Sequence, residues 1–545
     1  MQTKKNNMLY RLFPIIARSR RGNAGETTKQ SPAIRGIASP SGLAMTGKGW
    51  LAMTAILGGL LLLLLVHTSC NKLDESPYSS IFTNNFYKTA SDAEAALTAV
   101  YGPMGGLYST AATGASDFSA DQIYPRPVVG RDTYTLFSYD PNYTTQKSFN
   151  RQFESPQQIW QSCYSGIEKA NWVLLRVPAT NMDTARRSVI LGEAYYMRAF
   201  YLWMLTKNFR DIVVKITPST DIDTAIIGKT MQADVFKQIY QDLEQAVAKL
   251  PSYSANIQKG RPSKEVALAL YAKTALYAQD WATALNKAKQ VLSSGKYSLM
   301  PDVLDVYSVT KEDAARQENM WALECESTSP GISTQIMSLY GPKNSDGPQY
   351  AVSSFGSAFA YQSFFNSFNP ADRRRLLLDT NYINKLGQVV AQKDITPITK
   401  QGVLVKKYMD PGSVGGNGAI NIPILRLADV YLIAAEASAQ QNGPSTEAYG
   451  YINTVRNRAG LPGLTTGLAK QPFVDSVLQE RSWELFGEGD RWYDLTRTNT
   501  FLQVIPKAVN DVFPTRAPQP KNRYFPIPLD EINANTKLEQ NPEWK

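Results

Sequence analysis

The sequence predicts a mainly α-helical protein in which paired helices form a scaffold and long irregular loops connect the pairs. Three observations point there. Apolar residues recur at intervals of three and four through much of the chain, the spacing that lines one face of a helix. Strand-like runs are scarce, and Ile212 to Ile216 is the best of them. Two stretches, 103–146 and 331–370, set aromatic residues among Gly, Ser, Thr and Pro with no clean period.

Taken in chain order, Ser91-Asp92 caps a helix in which Ala95, Ala96, Leu97, Val100 and Tyr101 fall at helical spacing. Ile159 to Val177 and Ala185 to Thr206 repeat the pattern; in the second, Leu191, Ala194, Tyr195, Arg198, Ala199 and Leu202 stand three or four apart. Met231 to Leu250 is another amphipathic helix, stopped by Pro251. The span Ser263 to Tyr297 reads as a helix pair: Lys264 to Ala278, a tight turn at Gln279-Asp280, then Trp281 to Leu292, with Gly295 as terminator. Residues Ala275 to Leu285 resemble the tetratricopeptide pattern, with small residues where paired helices cross closely. A looser pair, Leu427 to Gln440 and Ser445 to Ala459, is divided by Asn442-Gly443-Pro444. Stacked pairs of this kind bind partners or pack, and specify no chemistry by themselves.

Charge and composition narrow the function. With 545 residues, 43% hydrophobic and 19% charged, the chain is globular and long enough for a large core. The net charge of +10 suggests a nucleic-acid partner until it is located. Residues 1–69 hold nine Lys/Arg against Glu26 alone, so residues 70–545 are close to neutral and show no basic run. Nucleic acid is therefore not an expected partner. The single histidine, His67, also lies in the leader. Without it the chain has no Ser-His-Asp or Cys-His pair, no His-ligated metal and no imidazole base, and neither a cofactor nor a metal site is expected.

The leader carries an uncharged apolar run of sixteen residues, Leu51 to Val66, shorter than the roughly 20 a spanning helix needs. A basic flank before it and small residues after it fit a signal peptide. Thr68-Ser69-Cys70 resembles the bacterial lipobox, with His67 standing where an aliphatic residue is usual, so Cys70 is the expected lipidation site and Met45 the expected start. Acyl chains at about 0.8 kcal/mol per buried CH₂ would anchor the protein durably. Cys163 and Cys325 are expected to be buried free thiols, with a single disulfide as the alternative.

Several long motifs in register then resemble one family. Cys70 to Asp74, Ala194 to Phe209, Gly260 to Leu299, Arg426 to Ala437 and Ile452 to Leu461 look like the SusD/RagB family. The strongest match is Glu480 to Leu495 (ERSWELFGEGDRWYDL), and Phe525-Pro526-Ile527-Pro528 with Asn541-Pro542 completes the series. The resemblance implies a surface-exposed, lipid-anchored outer-membrane protein that is not an enzyme. It would sit as a lid over a SusC-like TonB-dependent transporter and capture oligosaccharides, or peptides as in some relatives. It also implies a SusD-like fold: a tetratricopeptide-like scaffold with an irregular ligand-binding face. The expected organisation is a leader at 1–69, a tether at 70–80, an N-terminal helical part at 81–262 and a C-terminal part at 263–545. The last includes an aromatic loop region at 331–424.

Two sets of residues compete for a functional role. Glu480, Glu484 and Glu488 recur every four residues, and paired carboxylates equip glycosidases. Arg481, Arg491 and Arg497 lie nearby, however, and such charges at helical spacing commonly brace helices. Glu480, Arg481, Glu484, Glu488 and Arg491 are therefore read as a structural charge motif, and Asp372-Arg373-Arg374-Arg375 as a solvated or bridging run. The aromatic loops suit sugar better, because a ring can cover the C–H face of a pyranose while amides and hydroxyls bond its edges. Residues 331–370 contain eight aromatics and only Lys343 and Asp346 as charges. Trp321, Tyr340, Tyr350, Tyr361 and Tyr134 are the expected ligand-binding residues, on a surface shared by the two loop regions. A secreted glycosidase and a tetratricopeptide-type adaptor remain as alternative readings.

Overall fold

Helix ends are set by caps and glycines near the positions that spacing predicts. The computed structural model describes residues 86–108, 112–127, 131–143, 155–328, 331–343, 349–394 and 402–545. Cys70 and the leader lie outside the described residues. The N-cap of helix α1 (Ala90–Tyr101) lies two residues before the predicted Ser91: it is Thr89, and Asp92 accepts from the Thr89 N–H to complete a capping box. Then come α2 (Pro156–Arg176), α3 (Thr184–Phe209) and α4 (Gln232–Lys249). The predicted pair is α5 (Lys264–Tyr277) and α6 (Trp281–Ser293), capped by Ser263 and Asp280. Gln279 makes the turn between them with φ +58°, and Gly295 leaves α6 with φ +62°. The looser pair is α7 (Leu427–Asn442) and α8 (Thr446–Arg458), followed by α9 (Lys470–Glu484) and α10 (Arg491–Arg497).

The helices stack in order. Helix α1 packs on α2, α2 on α3, and so on to α8, with α9 returning against α7. Helices α6 and α7 touch although residues 294–426 separate them in sequence, so the scaffold runs on past this insertion. Helix α5 is buried from Glu265 to Leu276 and α7 from Leu427 to Ala439 apart from Tyr431. Both are rich in Ala, which lets neighbouring backbones approach on every side.

The insertion holds most of the strands. A four-stranded antiparallel sheet runs in the order β1 (Ile123–Pro125), β3 (Ala358–Tyr361), β7 (Gly402–Val405) and β4 (Leu378–Asp379). Tyr124 stands opposite Phe359 and Ala360 opposite Val403, so the two aromatic stretches do meet. They meet inside the molecule: β1, β3 and β7 are buried at every position, which erases the alternation that marks a half-exposed strand. Strand β2 (Asn319–Leu323) pairs with β8 (Ile422–Arg426), and β5 (Asn381–Ile383) with β6 (Val389–Ala391) in an exposed hairpin.

The predicted strand at Ile212 to Ile216 does not form. Ile212 makes one bridge to Thr230, and side chains take over the remaining backbone groups. The Tyr164 hydroxyl accepts from Val213 N and donates to Val213 O, both at 2.9 Å. The Lys215 and Thr217 carbonyls accept from Asn171, and the Ile216 carbonyl accepts from Arg198. With its backbone satisfied this way the segment has no need of a strand partner. Cys163 and Cys325 are both free and buried.

Candidate functional site

The charge motif forms a buried hub that ties the insertion to the scaffold. Glu484, the last residue of α9, accepts from Arg426 (2.9 Å), Arg458 (2.5 Å) and Arg374 (3.1 Å). Arg426, at the end of β8, also reaches Glu318 (2.7 Å) and both oxygens of Glu488 (2.8 Å each). Arg374 is clamped by Asp372 (2.7 and 2.9 Å) and by Glu480 (2.6 Å), whose other oxygen takes Arg456 (3.0 Å). One turn away, Arg481 bridges Asp429 (2.6 Å) and Asp494 (2.8 Å), and Arg497 forks onto Glu436 (2.5 and 2.7 Å). Arg491 holds Asp121 at 2.8 and 2.9 Å, joining α10 to the residues just before β1.

One expectation changes here, and one pair of alternatives is decided. Helix α9 ends at Glu484, so Glu488 lies in the turn beyond and not on one helical face with Glu480. Gly487 and Gly489, with φ +71° and +84°, make that turn and bring Glu488 back onto Arg426 and Lys407. The run 372–375 takes the bridging alternative: Arg374 is fully buried and reaches Glu480 and Glu484, while its neighbour Arg373 is exposed and pairs with Asp302.

The hub has little scope for acid–base chemistry. Burial pushes the Glu484 and Glu488 carboxyls up, but the surrounding Arg charges, with Lys407 at Glu488, outweigh it and hold both below the usual range. Burial lifts Glu480, with Arg374 and Arg456 opposing, but both its oxygens are bonded to guanidinium groups. The void beside Glu488, Gly489 and Asp490 measures about 20 Å³, room for about one water and far too small for a sugar.

The five aromatics expected to bind ligand are all at most 2% exposed. Trp321 donates to Gly260 O (2.9 Å) and stands edge-on to Tyr196 and Phe200 at 5.0 Å. Tyr340 bonds Asp117 (3.3 Å) and stacks with Tyr408. Tyr361 packs on Tyr124 at 4.8 Å, and Tyr134 meets Phe525 edge-on at 5.8 Å. The Tyr350 ring is enclosed, and its carbonyl accepts from Asp410 N (2.7 Å). The structure thus brings Tyr124, Phe359 and Tyr361 of the two regions together as core, and none of the five offers a ring face to solvent. A charge-poor, aromatic, Gly/Ser-rich composition describes an irregularly folded core as well as it describes a sugar-binding surface.

A different part of the same stretches does reach the surface. Where β1 ends, Arg126 N donates to Ser357 O (2.8 Å), beside Gly356 with φ +58° and the half-buried ring of Phe355. A Cβ added at Gly416 would lie 3.1 Å from that ring, so the turn at 412–418 runs directly against it. Ser338 Oγ donates to Ser353 O (2.5 Å), Ser413 Oγ accepts from Val352 N (2.9 Å), and Thr334 bridges to Gly418. This backbone network displays Phe355, exposed Val352 and Val414, and the amides of Gln335 and Asn417, which touch at 3.5 Å. Sequence reasoning counted Phe355 without singling it out and missed the amides. The glycine-rich run Pro411 to Gly418 was the available signal for a surface turn.

Fold and site together define a class: a helical-repeat binding protein with an irregular, charge-poor loop face and a buried, densely paired internal charge hub. Residues 294–544 match the family profile described as "SusD family", and residues 72–276 the profile "Starch-binding associating with outer membrane". The chain belongs to the SusD/RagB family, among binding proteins rather than enzymes. It is 27% identical to the SusD-like protein P25 of Formosa agariphila over 517 residues, covering 86% of this chain and 95% of the relative. Among solved structures, a SusD homologue from Bacteroides thetaiotaomicron superposes with a TM-score of 0.73 at 22% identity, over 84% of this chain and 98% of that one. Surface glycan-binding protein A from Bacteroides thetaiotaomicron, solved with laminarihexaose, gives a TM-score of 0.69 at 21% identity, over 83% and 100%.

Proposed function

We propose that the protein captures oligosaccharides at the outer-membrane surface and passes them to a SusC-like TonB-dependent transporter, held there by a lipid on Cys70. Family membership over both halves of the chain is the observation that carries this reading. The fold shared with a protein solved with laminarihexaose supports it, as does the low charge of the loop face. Phe355 covers the apolar face of a pyranose, and Gln335 and Asn417 bond its hydroxyls. Binding proceeds without bond cleavage.

Affinity electrophoresis of residues 71–545 through gels of neutral and acidic polysaccharides tests the capture step, with reducing-end release assayed alongside. Selective retardation without release is expected, and Phe355→Ala should reduce the retardation at least tenfold. Release of new reducing ends would overturn the binding reading. Retardation by no polysaccharide, with binding of oligopeptides instead, would replace the glycan by a peptide. Palmitate labelling that disappears in Cys70→Ser tests the anchor, and co-purification of an outer-membrane barrel tests the partner.

A further inference from the structure

A cavity of about 280 Å³ opens on the scaffold and shares no residue with the loop face. It is lined by Lys207 near the end of α3, Phe236 on α4, Tyr277 at the α5–α6 turn, Tyr493 on α10, and Arg523 and Tyr524 of the C-terminal segment. Its volume sits at the small end of ligand sites, which run from about 300 to 1,000 Å³. No carboxylate lines it, whereas three cations do. Arg497 is committed to Glu436 and Asp494.

The other two cations are not. Among the described residues no hydrogen-bond acceptor reaches Lys207; its ammonium rests 4.0 Å from the Trp203 ring centroid and 4.1 Å from that of Tyr493. Asp490, which attracts it, is already bonded to Lys273 at 2.7 Å. Burial draws the Lys207 ammonium down to about 7, with Lys273 adding to the effect and Asp490 opposing it. Arg523 lies against the Tyr524 ring, and its Nε has no hydrogen-bond partner. The buried Tyr277 hydroxyl is likewise unpartnered. Lys207 and Arg523 thus present two cations to one cavity that no carboxylate lines, and the Tyr277 hydroxyl beside them has no partner among the described residues.

We infer that this cavity binds one small ring-bearing carboxylate of monosaccharide size, a sugar acid, with its carboxylate on Lys207 and Arg523 and its ring among Phe236, Tyr277 and Tyr524. Gln232, Gln279 and Thr496, which also line the space, meet its hydroxyls. The site stands apart from the polysaccharide face and does not depend on it.

Calorimetry and tryptophan fluorescence of the purified protein with D-glucuronate test it, using D-glucose as the neutral control at 150 mM salt. Glucuronate should saturate one site per chain, glucose should not bind, and Lys207→Met and Arg523→Gln should each weaken glucuronate at least tenfold. Circular dichroism shows which variants fold; Arg523 is half-buried and makes no ion pair among the described residues, so its variant decides if Lys207→Met does not fold. Absence of glucuronate binding, unchanged affinity in the folded variants, or equal binding of glucose would overturn the assignment.

Discussion

Glu484 accepts from three guanidinium groups in a place without bulk water, and its removal leaves Arg374, Arg426 and Arg458 short of countercharge. Breaking a buried pair from one side costs about 3–5 kcal/mol, because the stranded charges stay buried. Glu484→Ala should lose about that much in urea unfolding, whereas Arg373→Ala, which opens an exposed pair with Asp302, should scarcely move the midpoint. The same groups set the acid response. Glu484, Glu488 and Asp494 are held below the usual carboxylate range once the Arg charges overcome burial. Their stabilisation is complete above the unfolded value near 4 and is lost as pH falls through the lower folded values. Asp117 has the opposite sign: burial raises it to about 7, so its contribution is present below about 4 and fades as pH rises through 7. Melting temperature should therefore drop steeply below pH 4 and decline gently from pH 5 to 7, and Asp117→Asn should lessen that decline, to which Glu312, also raised to about 7 by burial, contributes. A flat profile down to pH 3 would contradict the hub. The sequence showed carboxylates and arginines near 480–497, but their partners at 318, 374, 426 and 458 come from other elements. No local spacing announces such pairs.

Helices were legible because a 3.6-residue period, a cap and a following glycine are local signals, and α5 with α6 followed them closely. Strands were not. A strand buried on both faces shows only a short apolar run, and Ile212 to Ile216 looked better than any of them until Tyr164, Asn171 and Arg198 satisfied its backbone. Small residues at helix crossings were also readable in principle, and Gly166 gives the sharpest test. A Cβ there would run into the buried ring of Tyr201, which lies where α3 crosses α2. Helix propensity alone favours Gly166→Ala by about 1 kcal/mol. Overpacking a filled contact costs about 1–3 kcal/mol or more, so the variant should be destabilised and not stabilised. A raised melting temperature would mean that α2 and α3 separate more freely than the crossing suggests.

At the scale of the whole molecule, the chain's first and last parts are interleaved. The Gln122 side chain donates to Ser482 O and Oγ at 2.7 and 2.8 Å, and Tyr143 donates to Pro526 O at 2.9 Å. The buried guanidinium of Arg516 bonds the Ser119, Ala120 and Thr135 carbonyls. Helices α6 and α7 close the stack across the insertion, and the hub binds that insertion to α9. None of these ties could be read from the sequence, since each joins residues that lie far apart along it. They argue against independent halves: cutting the chain near residue 280 would expose the Ala-rich faces of α5 and strand Arg491, Arg516 and Gln122 without partners. The described residues form one compact unit, and a single unfolding transition is expected. Far-UV circular dichroism and tryptophan fluorescence should then give coincident urea curves, and a fragment covering 71–276 should not fold alone. Two separated transitions, or a soluble fragment with cooperative melting, would show that the stacked helices outweigh the long-range bonds and that the halves fold independently.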